Sequence, residues 1–145
     1  MSEDLTQPVL VSACLAGEPC RYDGLANTHP AVVRLVEQGR AVLVCPEVLG
    51  GLPTPREPME LCGGRVLGAS GADATDAFHA GALLALEVAH QHGCTQAILK
   101  ARSPSCGVGQ VYDGSFTRRL VPGDGILAAL LKAQGIAVCT EETLG

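Results

Sequence analysis

The segment 100–109, Lys-Ala-Arg-Ser-Pro-Ser-Cys-Gly-Val-Gly, combines two cations, two hydroxyls, one thiol and two glycines in one loop. Most of these side chains are unsuited to a packed core, so core packing does not explain the segment. A thiol close to cations, and to backbone N–H groups that the two glycines leave accessible to a ligand, suits a thiol-based, sulfur-binding or anion-binding site. The alternative is a solvated connection that contains a small buried cysteine.

Two further loops carry a cysteine close to the end of an apolar run. Cys14 follows the run 8–12, and Cys45 closes the run 41–45. The chain has seven cysteines and no CxxC pair, which argues against a zinc ribbon and against a thioredoxin-like motif. The first seven residues show no basic segment followed by an apolar one, so we expect a cytoplasmic protein with reduced thiols.

The composition limits the classes of partner. Hydrophobic residues make up 47% of the sequence and aromatic residues only 3%, which predicts an aliphatic core. We expect one domain over residues 1–145, since this length buries about two-thirds of the unfolded surface. A net charge of −5 argues against a broad nucleic-acid surface, and no apolar run reaches the roughly 18 residues that span a membrane. A small anion held by local cations is compatible with this charge.

Four short and continuously apolar runs predict strands that are covered on both faces. Helical spacing of apolar residues predicts helices between them, with Thr75 and Asp124 as the N-caps of the last two. The predicted strands are 8–12, 41–45, 96–99 and 136–139, and the predicted helices are 30–40, 75–92 and 125–134.

The connections between these elements are rich in turn residues. Segment 46–58 contains four prolines, which predict an ordered loop without regular structure. Residues 59–67 predict a hairpin that turns at Gly63–Gly64, and residues 112–115 predict a turn.

Strands that alternate with helices predict a small doubly wound α/β domain, Rossmann-like, with about four main strands, mostly parallel, and helices on both faces. The expected strand order is 2-1-3-4, which places a topological switch between strands one and three. Ligands of such sheets bind beyond the carboxyl ends of the strands at the switch. Neighbouring strands lie about 4.8 Å apart, so Cys14, Cys45 and Cys106 should meet within roughly 10 Å at this edge.

Three thiols gathered at one edge suggest a metal centre. Thiolates are soft ligands that suit zinc or an iron–sulfur cluster, and three protein ligands leave one metal position open. Cys20 could supply a fourth ligand if its loop folds back. A thiol pocket without metal and ordinary packing of small residues are the alternatives.

Several sequence blocks resemble the signature motifs of the thiouracil desulfidase family, long known as a domain of unknown function. These blocks are SACL at 12–15, CRYDG at 20–24, CPE at 45–47, GLPTPR at 51–56 and KARSPSCG at 100–107. The resemblance extends to FHAGA at 78–82, YDG at 112–114 and GDG at 123–125, so it spans nearly the whole chain in order.

The resemblance implies a 4Fe–4S cluster held by three cysteines, which match Cys14, Cys45 and Cys106 here. It also implies that the fourth iron takes the sulfur of a thiolated pyrimidine, which leaves as hydrosulfide while water supplies the replacing oxygen. The acid/base carboxylate of the family falls on Glu47 and its catalytic hydroxyl on Ser103. Iron with an open position acts as a Lewis acid towards sulfur, so the C–S bond weakens without a redox change.

Simpler interpretations exist for both catalytic candidates. Glu47 could form an ion pair with a nearby cation, and Ser103 could merely shape the turn before Pro104. The cations in question are four of the ten basic residues of the chain, and all four lie in the loops expected at the rim of the site. We predict that they bind a phosphate, so that a thiolated nucleoside monophosphate binds better than the free base and more weakly at high salt. These four candidate substrate-binding residues are Arg21, Arg56, Lys100 and Arg102.

The sequence therefore predicts a cytoplasmic iron–sulfur desulfidase that acts on a thiolated pyrimidine or its nucleotide, as a monomer or a homodimer. One alternative is a non-enzymatic module that binds a metal or an anion and stores or senses iron–sulfur status. Another is an enzyme that uses Cys106 as a metal-free thiolate nucleophile, activated by Lys100 or Arg102.

Overall fold

A computed structural model describes residues 7–143 of the chain. Residues 1–6, in which we expected no targeting signal, lie outside the described residues. No helix among residues 7–143 is both long and apolar enough to cross a membrane.

In chain order the elements are β1 (Val9–Ser12), a 3-10 helix (Ala13–Ala16), α1 (Pro30–Glu37), β2 (Ala41–Val44), α2 (Pro46–Leu49), β3 (Met59–Cys62), β4 (Arg65–Gly68), α3 (Thr75–His92), β5 (Gln96–Leu99), β6 (Gln110–Tyr112), β7 (Leu120–Pro122), α4 (Ile126–Ala133), β8 (Ala137–Thr140) and a second 3-10 helix (Glu141–Thr143).

The central sheet has four parallel strands in the order β2-β1-β5-β8. This order matches the predicted 2-1-3-4. The register pairs Val11 of β1 with Leu43 on one side and with Ile98 on the other. All four residues of β1 are buried, which explains why this strand is continuously apolar in sequence rather than alternating.

Helices cover both faces of the sheet. Leu10 of β1 belongs to a buried cluster with Ala85 of α3 and Leu127 of α4. Val11, whose side chain points to the opposite face, packs in a second cluster with Val32 of α1. Burial of one such aliphatic side chain contributes roughly 1.5–3 kcal/mol, so the two clusters hold the strands in place. The predicted doubly wound α/β class is confirmed.

Two antiparallel hairpins stand beside the sheet. The predicted β3–β4 hairpin is present and turns at Gly63–Gly64, where both residues have the positive φ that glycine tolerates. The second hairpin, β6–β7, was not predicted, because the sequence indicated only a turn at 112–115. Its strands are three residues long, too short for an apolar pattern to become visible.

The prediction that segment 46–58 lacks regular structure was wrong at its start, where residues 46–49 form α2. Pro46 is the first residue of this short helix. A proline is well tolerated there, because the first N–H groups of a helix have no intrahelical acceptor. Three of the four prolines follow the helix, and they do not interrupt it.

Both predicted N-caps were also wrong, because each side chain has a partner elsewhere. Thr75 lies inside α3, where its Oγ1 accepts the Val66 N–H at 2.9 Å, while Asp73 Oδ1 accepts the Thr75 N–H at 2.9 Å. Asp124 accepts the Gly109 N–H at 2.8 Å instead of capping α4. The first contact ties β4 to the start of α3, and the second ties the Gly109 loop to the segment before α4; local sequence rules anticipate neither.

Candidate active site

The three predicted ligand cysteines lie just beyond the carboxyl ends of three adjacent strands. Cys14 is in the 3-10 helix that follows β1, and Cys45 directly follows β2. Cys106 lies in the loop after β5, and it is buried, as is Cys14. Because β2, β1 and β5 are neighbours in the sheet, all three cysteines leave it at the same edge.

Cys20 lies with these thiols, so its loop does fold back. Cys45 Sγ lies 3.8 Å from the carbonyl oxygen of Cys20, and interaction with the Cys14 thiol contributes most to raising the pKa of Cys20 to about 11. Interaction with the Cys20 thiol, followed by burial, raises the pKa of Cys45. Burial, followed by the charge of Glu47, raises the pKa of Cys106 to about 12. Four thiols and one carboxylate therefore share a poorly solvated region, which we call the thiol group.

Glu47 borders the thiol group from the first turn of α2. Its Oε2 accepts a hydrogen bond from Arg56 Nη2 at 2.8 Å and lies 3.9 Å from the Cys45 sulfur. The second oxygen, Oε1, is buried and has no partner among residues 7–143. Burial raises the pKa of Glu47, and the Arg56 guanidinium opposes that rise. One carboxylate oxygen is thus fixed by an ion pair, while the other is available to a ligand.

Arg56 is the cation that pairs with Glu47. The two side chains keep only 6% and 15% of their area exposed, so this ion pair is well shielded from solvent. Arg56 Nη2 also donates to the carbonyl oxygen of Cys20 at 3.1 Å. Arg56 therefore ties the Cys20 loop to Glu47 and does not lie free at the rim.

The helix that carries Glu47 is docked tightly against α3 by two glycines. A Cβ at Gly50 would lie 2.1 Å from the carbonyl oxygen of Ala77. A Cβ at Gly81 would lie 1.8 Å from the carbonyl oxygen of Pro46. The position of Glu47 therefore depends on the absence of side chains at both residues.

Gly81→Ala should destabilise the protein by about 1–3 kcal/mol, because the added methyl group forces α2 and α3 apart. Denaturant unfolding measures this change. Ala80→Ser, an exposed substitution one residue earlier in the same helix, is the matched control and should change stability by less than about 0.5 kcal/mol. Equal stability of the two variants would contradict the close packing of these helices.

Ser103 shapes the loop that carries Cys106. Its Oγ accepts the N–H groups of Ser105 at 3.1 Å and of Cys106 at 3.0 Å. Ser103 therefore does shape the turn that begins before Pro104. The hydroxyl proton is not used by either bond, so Ser103 is still able to donate to a ligand.

Beside this loop lies a cavity of about 570 Å³, which we call the rim pocket. Ser103 lines it together with three of the four aromatic residues of the whole chain, Tyr22, Tyr112 and Phe116. Aromatic faces in a concave site suit a planar ring. These aromatic residues were not predicted as site residues, although three of only four in the chain lie outside the predicted helices and strands, which was a usable signal.

Three of the four cations predicted to bind substrate line the rim pocket, and Arg118 joins them. Arg56 does not line it. Each of the three predicted cations also has a carboxylate partner, so these residues form loop ion pairs as well. The pairs are Arg21–Asp23 at 2.5 Å, Lys100–Glu141 at 3.0 Å and Arg102–Glu142.

A second cavity, of about 620 Å³, lies beside α3 and α4. Its walls are mostly apolar, with Leu83 and Leu130 among them, and neither Glu47 nor Ser103 contributes to them. The rim pocket is the better candidate for a substrate site, because Ser103 joins it to the Cys106 loop.

The thiol group has the donor chemistry of an iron–sulfur cluster. All of its candidate ligands are soft thiols, and the unpartnered Oε1 of Glu47 lies in the same region. Within residues 7–143, no three His, Cys, Asp or Glu side chains are arranged to hold a single metal ion. A cluster takes its thiolates at different irons, so its ligands need not converge on one point.

Comparison with known proteins agrees with the motifs. The family model described as 2-thiouracil desulfurase matches residues 9–143. The chain is 41% identical over 146 residues to the uncharacterized protein YbbK of Bacillus subtilis (strain 168), with 94% of this chain and 97% of that protein covered.

A solved structure is also similar. The 4Fe–4S-dependent thiouracil desulfidase TudS superposes with a TM-score of 0.91 at 45% sequence identity, covering 95% of this chain and 93% of that one. The resemblance seen in the sequence blocks is thereby confirmed. This chain belongs to the 2-thiouracil desulfurase family.

Proposed function

We propose that this protein is a desulfidase that removes the sulfur of a thiolated pyrimidine as hydrosulfide. Its family and the similar enzyme TudS support this class of reaction. The observation that carries the proposal is the rim pocket, which three of the four aromatic residues line and which Ser103 joins to the Cys106 loop. A flat, polar ring such as a thiolated pyrimidine matches these walls.

In this proposal Cys14, Cys45 and Cys106 hold a 4Fe–4S cluster, as the motifs imply. When bound, the cluster supplies a Lewis-acidic iron that draws electrons from the sulfur of the substrate. The raised pKa values of Cys45 and Cys106 show that this region disfavours free thiolates, so thiolates there need a compensating positive charge. Cys20 completes the wall of the thiol group without being needed as a ligand.

The protein side chains perform binding and proton transfer. The aromatic walls orient the pyrimidine, and the free hydroxyl proton of Ser103 is donated to the substrate. Arg56 holds Glu47 Oε2, which leaves Oε1 to take a proton from the attacking water. Water supplies the oxygen of the new C–O bond, the C–S bond breaks, and the sulfur departs as hydrosulfide.

The nucleotide is the proposed form of the substrate. Arg21, Lys100, Arg102 and Arg118 all line the rim pocket of a protein whose net charge is −5. Such a local group of cations attracts an anion even when the whole molecule is acidic. The carboxylates that pair with three of them limit the attraction and make it sensitive to ionic strength.

A thiolated uridine monophosphate should therefore bind more tightly than the free thiolated base, and its advantage should shrink as salt is raised from about 50 to 500 mM. KM measured for both substrates across this range checks the prediction. The free base serves as the internal control, because it carries no phosphate. Equal KM values for base and nucleotide at low salt would contradict the nucleotide assignment.

Hydrosulfide release tests the function as a whole. Cluster-loaded protein is incubated without oxygen with 2-thiouracil, 4-thiouracil and their nucleotides, and the hydrosulfide formed is quantified over time. The proposal predicts multiple turnovers with at least one of these substrates and formation of the matching oxygenated pyrimidine. A cluster-bound protein that turns over none of them would support the storage or sensing module instead.

The structure disfavours the metal-free nucleophile. Burial and the charge of Glu47 raise the pKa of Cys106 to about 12, so its thiol is protonated at neutral pH. The two cations suggested as activators, Lys100 and Arg102, pair with Glu141 and Glu142.

A further inference from the structure

The tip of the β6–β7 hairpin, residues 113–119, has an unusual backbone. Among residues 7–143, the non-glycine residues with positive φ are Arg102, Phe116 and Arg118, at 67°, 59° and 62°. All three line the rim pocket, and two of them belong to the tip. Such conformations persist only where the surroundings enforce them, and they concentrate at functional sites.

Residues of β3 hold the backbone of the tip in this conformation. Glu60 is buried there, and its Oε1 accepts the N–H groups of Gly114 at 3.0 Å and of Phe116 at 3.2 Å. A Cβ at Gly114 would lie 2.9 Å from the Cβ of Cys62, so the backbone of the tip sits directly on β3. One carboxylate oxygen thus holds two backbone N–H groups of the tip.

Arg118 differs from the other cations of the rim pocket. Arg21, Lys100 and Arg102 each have a carboxylate partner, whereas no carboxylate of residues 7–143 forms an ion pair with Arg118. Arg119, the next residue, does not line the pocket and approaches Asp113 at 3.8 Å. An anion in the pocket therefore meets Arg118 without displacing another partner.

We propose that the β6–β7 tip selects the substrate, with Arg118 binding the phosphate of a thiolated nucleoside monophosphate and Glu60 acting as the positioning residue for the tip. The inference rests on the proposed function for the identity of the base. The phosphate itself is recognised by the fork of guanidinium donors, whose planar geometry fits phosphate oxygens. Glu60 also lines the pocket, but its Oε1 is engaged by the N–H groups of Gly114 and Phe116, so it acts by holding the backbone from which Phe116 and Arg118 face the pocket.

Binding of uridine monophosphate and of uridine to the cluster-loaded protein tests the role of Arg118, with calorimetry as the measurement. Arg118→Ala should weaken binding of the monophosphate roughly 10- to 100-fold, the range expected for loss of a charge-assisted hydrogen bond. Arg119→Ala, the matched control on the same tip, should change it less than about two-fold. Undiminished binding by Arg118→Ala, or an equal loss with Arg119→Ala, would overturn the assignment.

Steady-state kinetics test Glu60. Glu60→Ala should raise the ratio of the nucleotide KM to the free-base KM. Glu60→Gln should leave this ratio close to its wild-type value, because its amide oxygen accepts the same two N–H groups. Glu60→Asp shortens the side chain by one methylene and should raise the same KM ratio by less than Glu60→Ala does. It replaces the alanine variant if that variant does not fold. A variant that lowers Tm but leaves the KM ratio unchanged would reduce Glu60 to a structural residue and overturn its positioning role.

Failure of this inference is separable from failure of the proposed function. If the wild-type protein releases no hydrosulfide while Arg118→Ala still loses affinity for uridine monophosphate, the phosphate site stands and the desulfidase proposal falls. If hydrosulfide is released while Arg118→Ala binds the monophosphate normally, the desulfidase stands and the phosphate site falls.

Discussion

Replacing Cys14, Cys45 or Cys106 with serine should abolish the visible absorbance of the reconstituted cluster and leave hydrosulfide release undetectable. A serine hydroxyl is a harder and far less acidic ligand than a thiol, so iron loses one of three attachments. All three residues lie at the carboxyl edge of adjacent strands, so each attachment comes from a different strand. Absorbance and iron content after anaerobic reconstitution measure the effect.

The remaining cysteines supply matched controls for this experiment. Cys62 ends β3, Cys94 follows the end of α3, and Cys139 lies on the edge strand β8. Serine at any of these positions should leave the absorbance intact. Bleaching by Cys139→Ser together with an intact Cys45→Ser protein would contradict the ligand assignment.

Cys20→Ser makes the test sharper, because Cys20 contacts the ligand thiols and yet is not assigned as a ligand. A desulfidase that binds the sulfur of its substrate at one open iron would use only three protein ligands, so this variant should retain the cluster. Complete loss of iron from Cys20→Ser would point to four protein ligands and would leave no open position.

Glu47→Gln should retain the cluster and bind the substrate but lower turnover by roughly 10²- to 10⁴-fold, the range for a lost general base. The amide keeps the size of the side chain and an oxygen for Arg56, but it does not accept a proton at neutral pH. Single-turnover release of hydrosulfide is the measurement. Full activity in this variant would leave Glu47 without a chemical role.

A structural role for Glu47 predicts a different result. Glu47 lies 3.9 Å from the Cys45 sulfur and is held by Arg56, so a variant that disturbs this contact could lose iron. Iron content of Glu47→Gln therefore distinguishes the two roles, since only the general-base role combines intact cluster with slow turnover.

Ser103 requires a more careful substitution than Glu47. Alanine removes the acceptor of two backbone N–H groups, including that of Cys106, and so risks moving a cluster ligand. Ser103→Thr keeps the hydroxyl and serves as the control for this effect. Ser103→Ala should slow hydrosulfide release, and its effect should not add fully to that of Glu47→Gln, because both residues act on one step.

The sheet and its binding edge could be predicted because they depend on patterns that are local and strong. Strands buried on both faces require continuous apolar runs, as in β1, and right-handed crossovers then allow few strand orders. The placement of Cys14, Cys45 and Cys106 at one edge followed from that order. The motif blocks added the family, which the comparisons confirm.

The details of the site could not be predicted because they depend on contacts between distant segments. Four cations were equivalent partners for Glu47 in sequence, and only the fold shows that Arg56 pairs with it. Arg118 gave no signal of its own, because its importance arises from the hairpin tip and from Glu60. The prolines of segment 46–58 predicted a loop without regular structure, although Pro46 is favourable at the first position of a helix.

Hydrosulfide released from thiolated pyrimidine per bound iron, measured without oxygen, shows whether desulfuration by this protein depends on its cluster. Protein samples are reconstituted to different degrees, and each is assayed for iron and for initial rate. The account predicts a rate that rises in proportion to cluster content, reaches its maximum at about four irons per chain and vanishes without iron. Iron-free protein that releases hydrosulfide as fast as the loaded protein would contradict the account and return the chemistry to the Cys106 thiol.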